Sequence, residues 1–135
     1  MKKKILLIED DDAIRQLYKR QLELAELATD AFATGTEGLA ALKKNPYDLF
    51  LLDIMLPDIN GIDVLKAAKA DQEARKVPVV ILTNLGQDSI IKEGFALGAV
   101  AYFIKASYTP SQLVQEVKNI LEGKQPTNPA PLEQT

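Results

Sequence analysis

Cysteine and histidine are both absent from the 135 residues. Without cysteine there is no disulfide, no thiol nucleophile and no thiolate metal site. Without histidine the commonest general base and a leading transition-metal ligand are missing. Any chemistry must therefore run on carboxylates, hydroxyls, lysine and a hard, oxygen-bound metal. An excess of positive charge is missing as well. The formal net charge of −3 argues against nucleic acid or an anionic membrane surface as the main partner. No apolar run reaches the length of a membrane span. The one passing likeness to a secretory signal, Lys2-Lys3-Lys4 before Ile5-Leu6-Leu7-Ile8, stops after those four apolar residues at an acidic cluster, short of what a signal needs. The lysine run reads as a solvated terminus, and a cytoplasmic location is expected.

What is present is ordinary globular composition, 47% hydrophobic and 26% charged, in a chain of single-domain length. Apolar strands and amphipathic helices alternate. Ile5–Ile8 reads as a buried strand ending on Glu9, Asp10, Asp11 and Asp12. A helix bearing Ile14, Leu17, Tyr18, Gln21 and Leu22 follows, capped by Asp11 or Asp12. Thr29–Ala33 is a weaker strand, Thr34-Gly35-Thr36 a turn, and Glu37–Lys44 a helix stopped at Asn45-Pro46. Leu49–Leu52 is a strand buried on both faces that ends on Asp53; the loop beyond it carries Pro57 and Asn60-Gly61.

Asn60 caps a third helix with Ile62 and Leu65, and Asp71–Lys76 reads as a charged loop. Val77–Leu82 is a fourth strand, ending at Thr83-Asn84, and a helix with Ile90, Ile91 and Phe95 begins at Asp88 or Ser89 and stops at Gly98. Ala101–Ile104 is a fifth strand, ending at Lys105. Thr109-Pro110-Ser111-Gln112 has the form of a capping box before a helix carrying Leu113, Val114, Val117, Ile120 and Leu121. The expected organisation is one domain over 1–123 and a disordered tail over 124–135. Five βα alternations predict an α/β fold: a doubly wound, flavodoxin-like, five-stranded parallel sheet of order 2-1-3-4-5, flanked by five helices.

Parallel strands deliver their C-terminal ends to one edge. Glu9 and Asp10 arrive there from the first strand, Asp53 from the third, Thr83 from the fourth and Lys105 from the fifth. Two carboxylates about 4 Å apart repel by roughly 4 kcal/mol at an effective dielectric near 20. Three facing one crevice would be costly, or would take up protons, unless a cation sits among them; Lys105 offers part of that charge and a compact divalent ion would do so better. With oxygen ligands alone, Mg²⁺ fits best, and Mn²⁺ could substitute. A metal beside one carboxylate, with lysine and hydroxyl opposite, is a set of parts for phosphoryl transfer in which Asp53 is the nucleophile.

Four stretches carry a resemblance: Ile5-Leu6-Leu7-Ile8-Glu9-Asp10-Asp11, Leu51 to Gly61, Val80-Ile81-Leu82-Thr83, and Ala101-Tyr102-Phe103-Ile104-Lys105. In this order and spacing the chain resembles the receiver domain of two-component response regulators, from Lys2 to about Gly123. The resemblance implies that Asp53 accepts a phosphoryl group from the phosphohistidine of a histidine kinase or phosphotransfer protein. It implies a Mg²⁺ site made by Asp10, Asp53 and the Met55 backbone carbonyl, with Glu9 acting through water. Lys105 would pair with the phosphoryl group and Thr83 would swing to bond it. Tyr102 would turn inward, changing the face of helix four, strand five and helix five, where an effector docks and a phosphorylation-dependent homodimer can form. No separate turnover substrate, nucleic acid or membrane is expected, and no DNA-binding segment follows the last helix, so the expectation is a stand-alone receiver or one excised from a longer protein.

Simpler readings stand beside these. Asp11, Asp12, Asp58 and Asn60 read as caps. Tyr102 and Thr83, each judged alone, read as strand residues. Two positions depart from the family. Ala106 stands where proline in a cis peptide is usual, and a cis bond to alanine costs about 3–4 kcal/mol, so this loop is expected to be trans or strained. Asn84 replaces a small residue after the threonine, and is expected to crowd the phosphoryl group or to screen it from attacking water, which would slow dephosphorylation. The competing functions are a degenerate receiver that binds partners without phosphorylation, a Mg²⁺-dependent small-molecule phosphohydrolase, and a nucleotide or flavin carrier. Met55, where hydrolases of this kind carry a second Asp, weighs against the second. Glu9 and Asp10, which would repel phosphate, weigh against the third.

Overall fold

The computed structural model describes residues 2–84 and 88–124. Five parallel strands, β1 (Lys4–Ile8), β2 (Ala28–Phe32), β3 (Leu49–Asp53), β4 (Val79–Thr83) and β5 (Ala101–Ile104), lie in the order 2-1-3-4-5. Between and after them run α1 (Asp12–Leu24), α2 (Gly35–Lys44), α3 (Gly61–Ala70), α4 (Asp88–Ala96) and α5 (Pro110–Leu121). This is the expected doubly wound sheet.

Strand alternation divides the interior into two cores. Leu6, Ile8, Phe50, Leu52, Val79 and Ile81 face one way, against Leu42 of α2, Ile62 and Leu65 of α3 and Ile91 of α4. Ile5, Leu7, Leu49, Leu51, Val80, Leu82 and Phe103 face the other way, against Tyr18 and Leu22 of α1 and Leu113, Val114 and Val117 of α5. With both faces covered, β1, β3 and β4 need apolar side chains at nearly every position, and the sequence supplies them as unbroken runs. Leu17, on the same helix as Tyr18, is 42% exposed.

Boundaries differ from expectation where polar side chains complete a helix end. The Thr34-Gly35-Thr36 turn is instead the cap and first turn of α2. Thr34 accepts from the Glu37 N–H, and Asp58, from the loop after β3, accepts from the Gly35 and Thr36 N–H groups and from Thr36 Oγ1. Those donors would otherwise be orphaned, so satisfying them extends the helix backwards. The loop expected over Asp71–Lys76 contains a 3₁₀ turn at Ala74–Lys76, begun by Asp71 accepting from the Glu73 and Ala74 N–H groups. β4 starts at Val79 rather than Val77, leaving Pro78, which has no N–H, outside the strand. The caps at Asp11 and Asn60 and the capping box at Thr109 form as expected. From residue 125 the expected tail lies outside the described residues.

Glu26 holds a left-handed backbone, φ 67°. It closes α1 in a Schellman turn, with Glu26 N–H on the Glu23 carbonyl and Leu27 N–H on the Leu22 carbonyl. A side chain in that conformation costs about 1 kcal/mol relative to glycine. Glu26→Gly is therefore expected to stabilise the protein by about 0.5–1 kcal/mol in urea titration; a loss would refute the assignment of strain to this position.

Asp58 is exposed, and the Thr36 hydroxyl and the Gly35 and Thr36 N–H groups hold its carboxyl down at about 2. A depressed folded-state pKa contributes stability that is present above the ordinary value of 3.8 and is lost as pH falls toward 2. Asp58→Ala is expected to lower the thermal midpoint at pH 7, with the gap to the parent closing between about pH 4 and pH 2. A gap constant across that window would mean that the carboxylate charge is not what holds α2.

Candidate functional site

The register sets the site. Ile8 pairs with Leu52, Asp53 with Leu82, and Thr83 with Ile104. The segments that follow β1 and β5, and the last residues of β3 and β4, therefore reach the same edge. Asp53, 2% exposed, is the final residue of β3, and Glu9, fully buried, is the first after β1. Asp10 is exposed at the rim. One carboxylate oxygen from each of the three lies within 4.8 Å of the others.

Lys105 enters from the end of β5. Its Nζ is 2.5 Å from Glu9 Oε1 and 3.1 Å from Asp53 Oδ2. Asp53 Oδ1 accepts from the Met55 N–H at 3.0 Å, and Glu9 Oε2 accepts from the Asp11 N–H at 3.1 Å. Lys105 reaches this position with Ala106 after it. The described peptide bonds are all trans, a 3₁₀ turn covers Lys105–Ser107, and the Tyr108 ring packs on Phe103 at 5.0 Å. Of the two states expected for this loop, it takes the trans one.

The loop after β3 folds back on its own strand. Gly61 N–H bonds the Ile54 carbonyl, and a Cβ at Gly61 would lie 2.6 Å from Ile54 Cα and 2.8 Å from the Asp53 carbonyl oxygen. Only glycine permits that approach, and it closes the loop bearing Met55 over the phosphoacceptor candidate. The Met55 side chain itself points out, 65% exposed.

The electrostatics follow from burial. Asp53 is pushed up to about 7, first by burial and then by the Glu9 charge, against the opposing pull of Lys105 and the Met55 N–H. Burial would lower the Lys105 ammonium, but the bond to Glu9 and the charges of Asp53 and Glu9 outweigh it and raise its pKa, so it stays protonated. With all three carboxylates ionised, they and the one ammonium leave a formal charge of −2 at the pocket. A single divalent cation balances that, and the donors are all hard oxygens, so the residues present fit Mg²⁺.

Thr83 and Tyr102 belong to the other side of the sheet. Thr83 is two residues on from Ile81, and Tyr102 pairs with Ile81, so both share its face, the α4 side. Thr83 is 6% and Tyr102 8% exposed, and Tyr102 meets Phe95 edge to face with ring centroids 6.0 Å apart. Asn84 is exposed and, with Asp53, Asp10 and Lys105, lines the roughly 210 Å³ cleft over the carboxylates. Sequence reasoning missed Arg15, whose guanidinium donates to the Glu9 and Asp10 carbonyls. The available signal was a cation in the first turn of a helix, where anions are favoured. It also missed Tyr18, whose hydroxyl pKa is raised by burial and by the Glu9 and Asp53 charges, with Lys105 opposing.

A family model described as the response regulator receiver domain matches residues 5–118. The transcriptional regulatory protein SrrA of Staphylococcus aureus is 35% identical over 127 residues, covering 94% of this chain and 51% of SrrA. The chain thus spans about half the length of the curated relatives it matches. A CheY-like response regulator receiver domain protein from Methanospirillum hungatei JF-1 superposes with a TM-score of 0.83 at 31% identity, covering 91% of this chain and 96% of that one. The chemotaxis protein CheY4 of Vibrio cholerae gives 0.83 at 26% identity, covering 89% and 99%. Among the described residues no helix is long and apolar enough to cross a membrane. With five parallel strands in the 2-1-3-4-5 order and an acidic cluster at their shared edge, the chain belongs to the response regulator receiver domain family of two-component systems.

Proposed function

We propose that this receiver is a working phosphoacceptor, and that Asp53 takes a phosphoryl group from the phosphohistidine of a histidine kinase or phosphotransfer protein. The observation that carries the reading is the buried Asp53 carboxylate, bound by Lys105 and by the Met55 N–H, with Glu9 and Asp10 beside it. Asp53 attacks phosphorus as the phosphorus–nitrogen bond to the donor imidazole breaks, leaving an acyl phosphate on Asp53 and a free histidine on the donor. Mg²⁺ would be held by Asp10, Asp53 and the Met55 carbonyl, with Glu9 through water, and supplies neutralisation of the charge on the phosphoryl oxygens. Lys105, already at Asp53 Oδ2, passes to a phosphoryl oxygen and keeps its ammonium beside the negative charge.

Thr83 turns its hydroxyl to the phosphoryl group, and Tyr102, on the same face of the sheet, follows it. The surface changed is that of α4, β5 and α5, which is where an effector or a second copy would dock. Residues 1–123 form the receiver in this reading and 124–135 the tail, in a cytoplasmic protein. The chain acts on itself, with no separate turnover substrate. A degenerate, phosphorylation-independent receiver would have no use for three converging carboxylates.

Incubation with Mg²⁺ and acetyl phosphate is expected to add one phosphoryl group, seen by intact mass, that Asp53→Asn abolishes. An adduct that persists in Asp53→Asn, or none with any donor, would sink the reading. Asn84, at the mouth of the cleft, is expected to hinder the water that hydrolyses the acyl phosphate. Asn84→Ala should shorten the phosphoryl lifetime on the order of fivefold, the effect of about 1 kcal/mol on a barrier. An unchanged or longer lifetime would remove that role.

A further inference from the structure

Arg15 stands at the end of α1 where its charge is least welcome. It is the fourth residue of the helix (Asp12–Leu24), in the turn where peptide dipoles favour anions and where Asp11 and Asp12 supply them. The side chain is only 17% exposed. Instead of extending into water it reaches back over the helix start. Nη1 donates to the Glu9 carbonyl at 3.0 Å and to the Asp10 carbonyl at 3.4 Å, while Nη2 lies 2.5 Å from Asp12 Oδ1. Strand β1 has ended at Ile8; the Glu9 N–H still bonds the Phe32 carbonyl of β2, but past that bond the ladder does not direct the Glu9 and Asp10 carbonyls. The planar guanidinium fork takes over that task, with one edge on two successive carbonyls and the other anchored on Asp12.

We propose that Arg15 is a positioning residue for the acidic pair: by fixing the backbone of Glu9 and Asp10 it sets the direction in which their carboxylates converge with Asp53 on a divalent cation. The inference rests on the phosphoacceptor reading and adds to it the residue that prepares the metal site. It also makes a prediction of definite sign. A cation beside a Mg²⁺ site repels the metal, so on charge alone removing Arg15 would tighten Mg²⁺ binding. If Arg15 positions the ligands, removing it weakens binding, as loss of an outer support does at other metal sites.

The test is calorimetric titration of Mg²⁺ into the whole chain, for the parent, Arg15→Met and Arg15→Lys, with phosphorylation by acetyl phosphate followed against Mg²⁺ concentration. Arg15→Met should bind Mg²⁺ about tenfold more weakly. Arg15→Lys, with the same charge but no fork, should also lose affinity, by a smaller factor. At saturating Mg²⁺ the maximal phosphorylation rate of both should return close to that of the parent, which places the loss in the metal requirement and not in the chemical step. Unchanged or tighter Mg²⁺ binding in both variants overturns the proposal, as does a maximal rate that stays low at saturating metal. Should Arg15→Met fail to fold, the Arg15→Lys comparison decides alone. A parent that binds no Mg²⁺ overturns the phosphoacceptor reading together with this one, whereas a parent that binds it with variants unaffected overturns this one only.

Discussion

The buried ion pairs of Lys105 with Glu9 and Asp53 are the constraint on which the site depends. Two carboxylates almost without solvent exposure would be driven to take up protons if left alone. One ammonium between them is enough to keep the cluster in place but not to neutralise it, and the raised Asp53 pKa is the visible remainder. Such a buried pair is a poor source of net stability, because desolvation consumes most of the attraction. What it achieves is location: the carboxylate proposed to meet phosphorus is held between a fixed cation and a fixed N–H.

Location in turn depends on the sheet. Parallel pairing brings four strand ends to one edge, and alternation then sorts them between two faces. Asp53 is in line with Leu51 and pairs with Leu82, whose side chain belongs to the α1 and α5 core; Thr83 and Tyr102 share the face of Ile81 and belong to the α4 side. A threonine at the end of β4 is thus a natural go-between, carried by the strand adjacent to that of Asp53 and facing the helix layer that the proposed switch must alter. An aromatic ring on β5, packed edge-on against Phe95 of α4, extends that path to the surface by contact alone.

The strands and the acids at their ends were legible because parallel strands buried on both faces must be apolar, which makes a carboxylate at a strand's end conspicuous. Glu9, Asp53 and Lys105 could be placed together from topology before any distance was known. The start of α2 was not legible, because the donors of its first turn are satisfied by Asp58, from a loop 22 or 23 residues further along; no local pattern announces a cap supplied from elsewhere. Arg15 escaped notice for a related reason. Its partners are main-chain carbonyls, which every residue has, so nothing in the sequence marks them as the ones to be bound. The trans peptide at Ala106 could be bounded by energy but not placed, since what seats that loop is the contact of Tyr108 with Phe103.

These observations divide the work of the site between strands and loops. The strands deliver Asp53 and Thr83 directly, as their own last residues. Glu9, Asp10, Met55 and Lys105 arrive one or two residues after their strands have ended, where the ladder specifies direction only in part: the Glu9 N–H still bonds the Phe32 carbonyl and the Ile54 N–H the Leu82 carbonyl. Each such segment has its own brace: Arg15 on the carbonyls after β1, Gly61 against the backbone after β3, and Tyr108 on Phe103 after β5. In the proposed function the same loops would admit a donor histidine and release a modified surface, which a continuous ladder would prevent. A brace made of a guanidinium, a close glycine contact or one ring pair can hold direction where the ladder is running out. A rigid parallel sheet thereby presents a rim whose direction is set by a few local contacts, which is where the proposed chemistry at Asp53 would act.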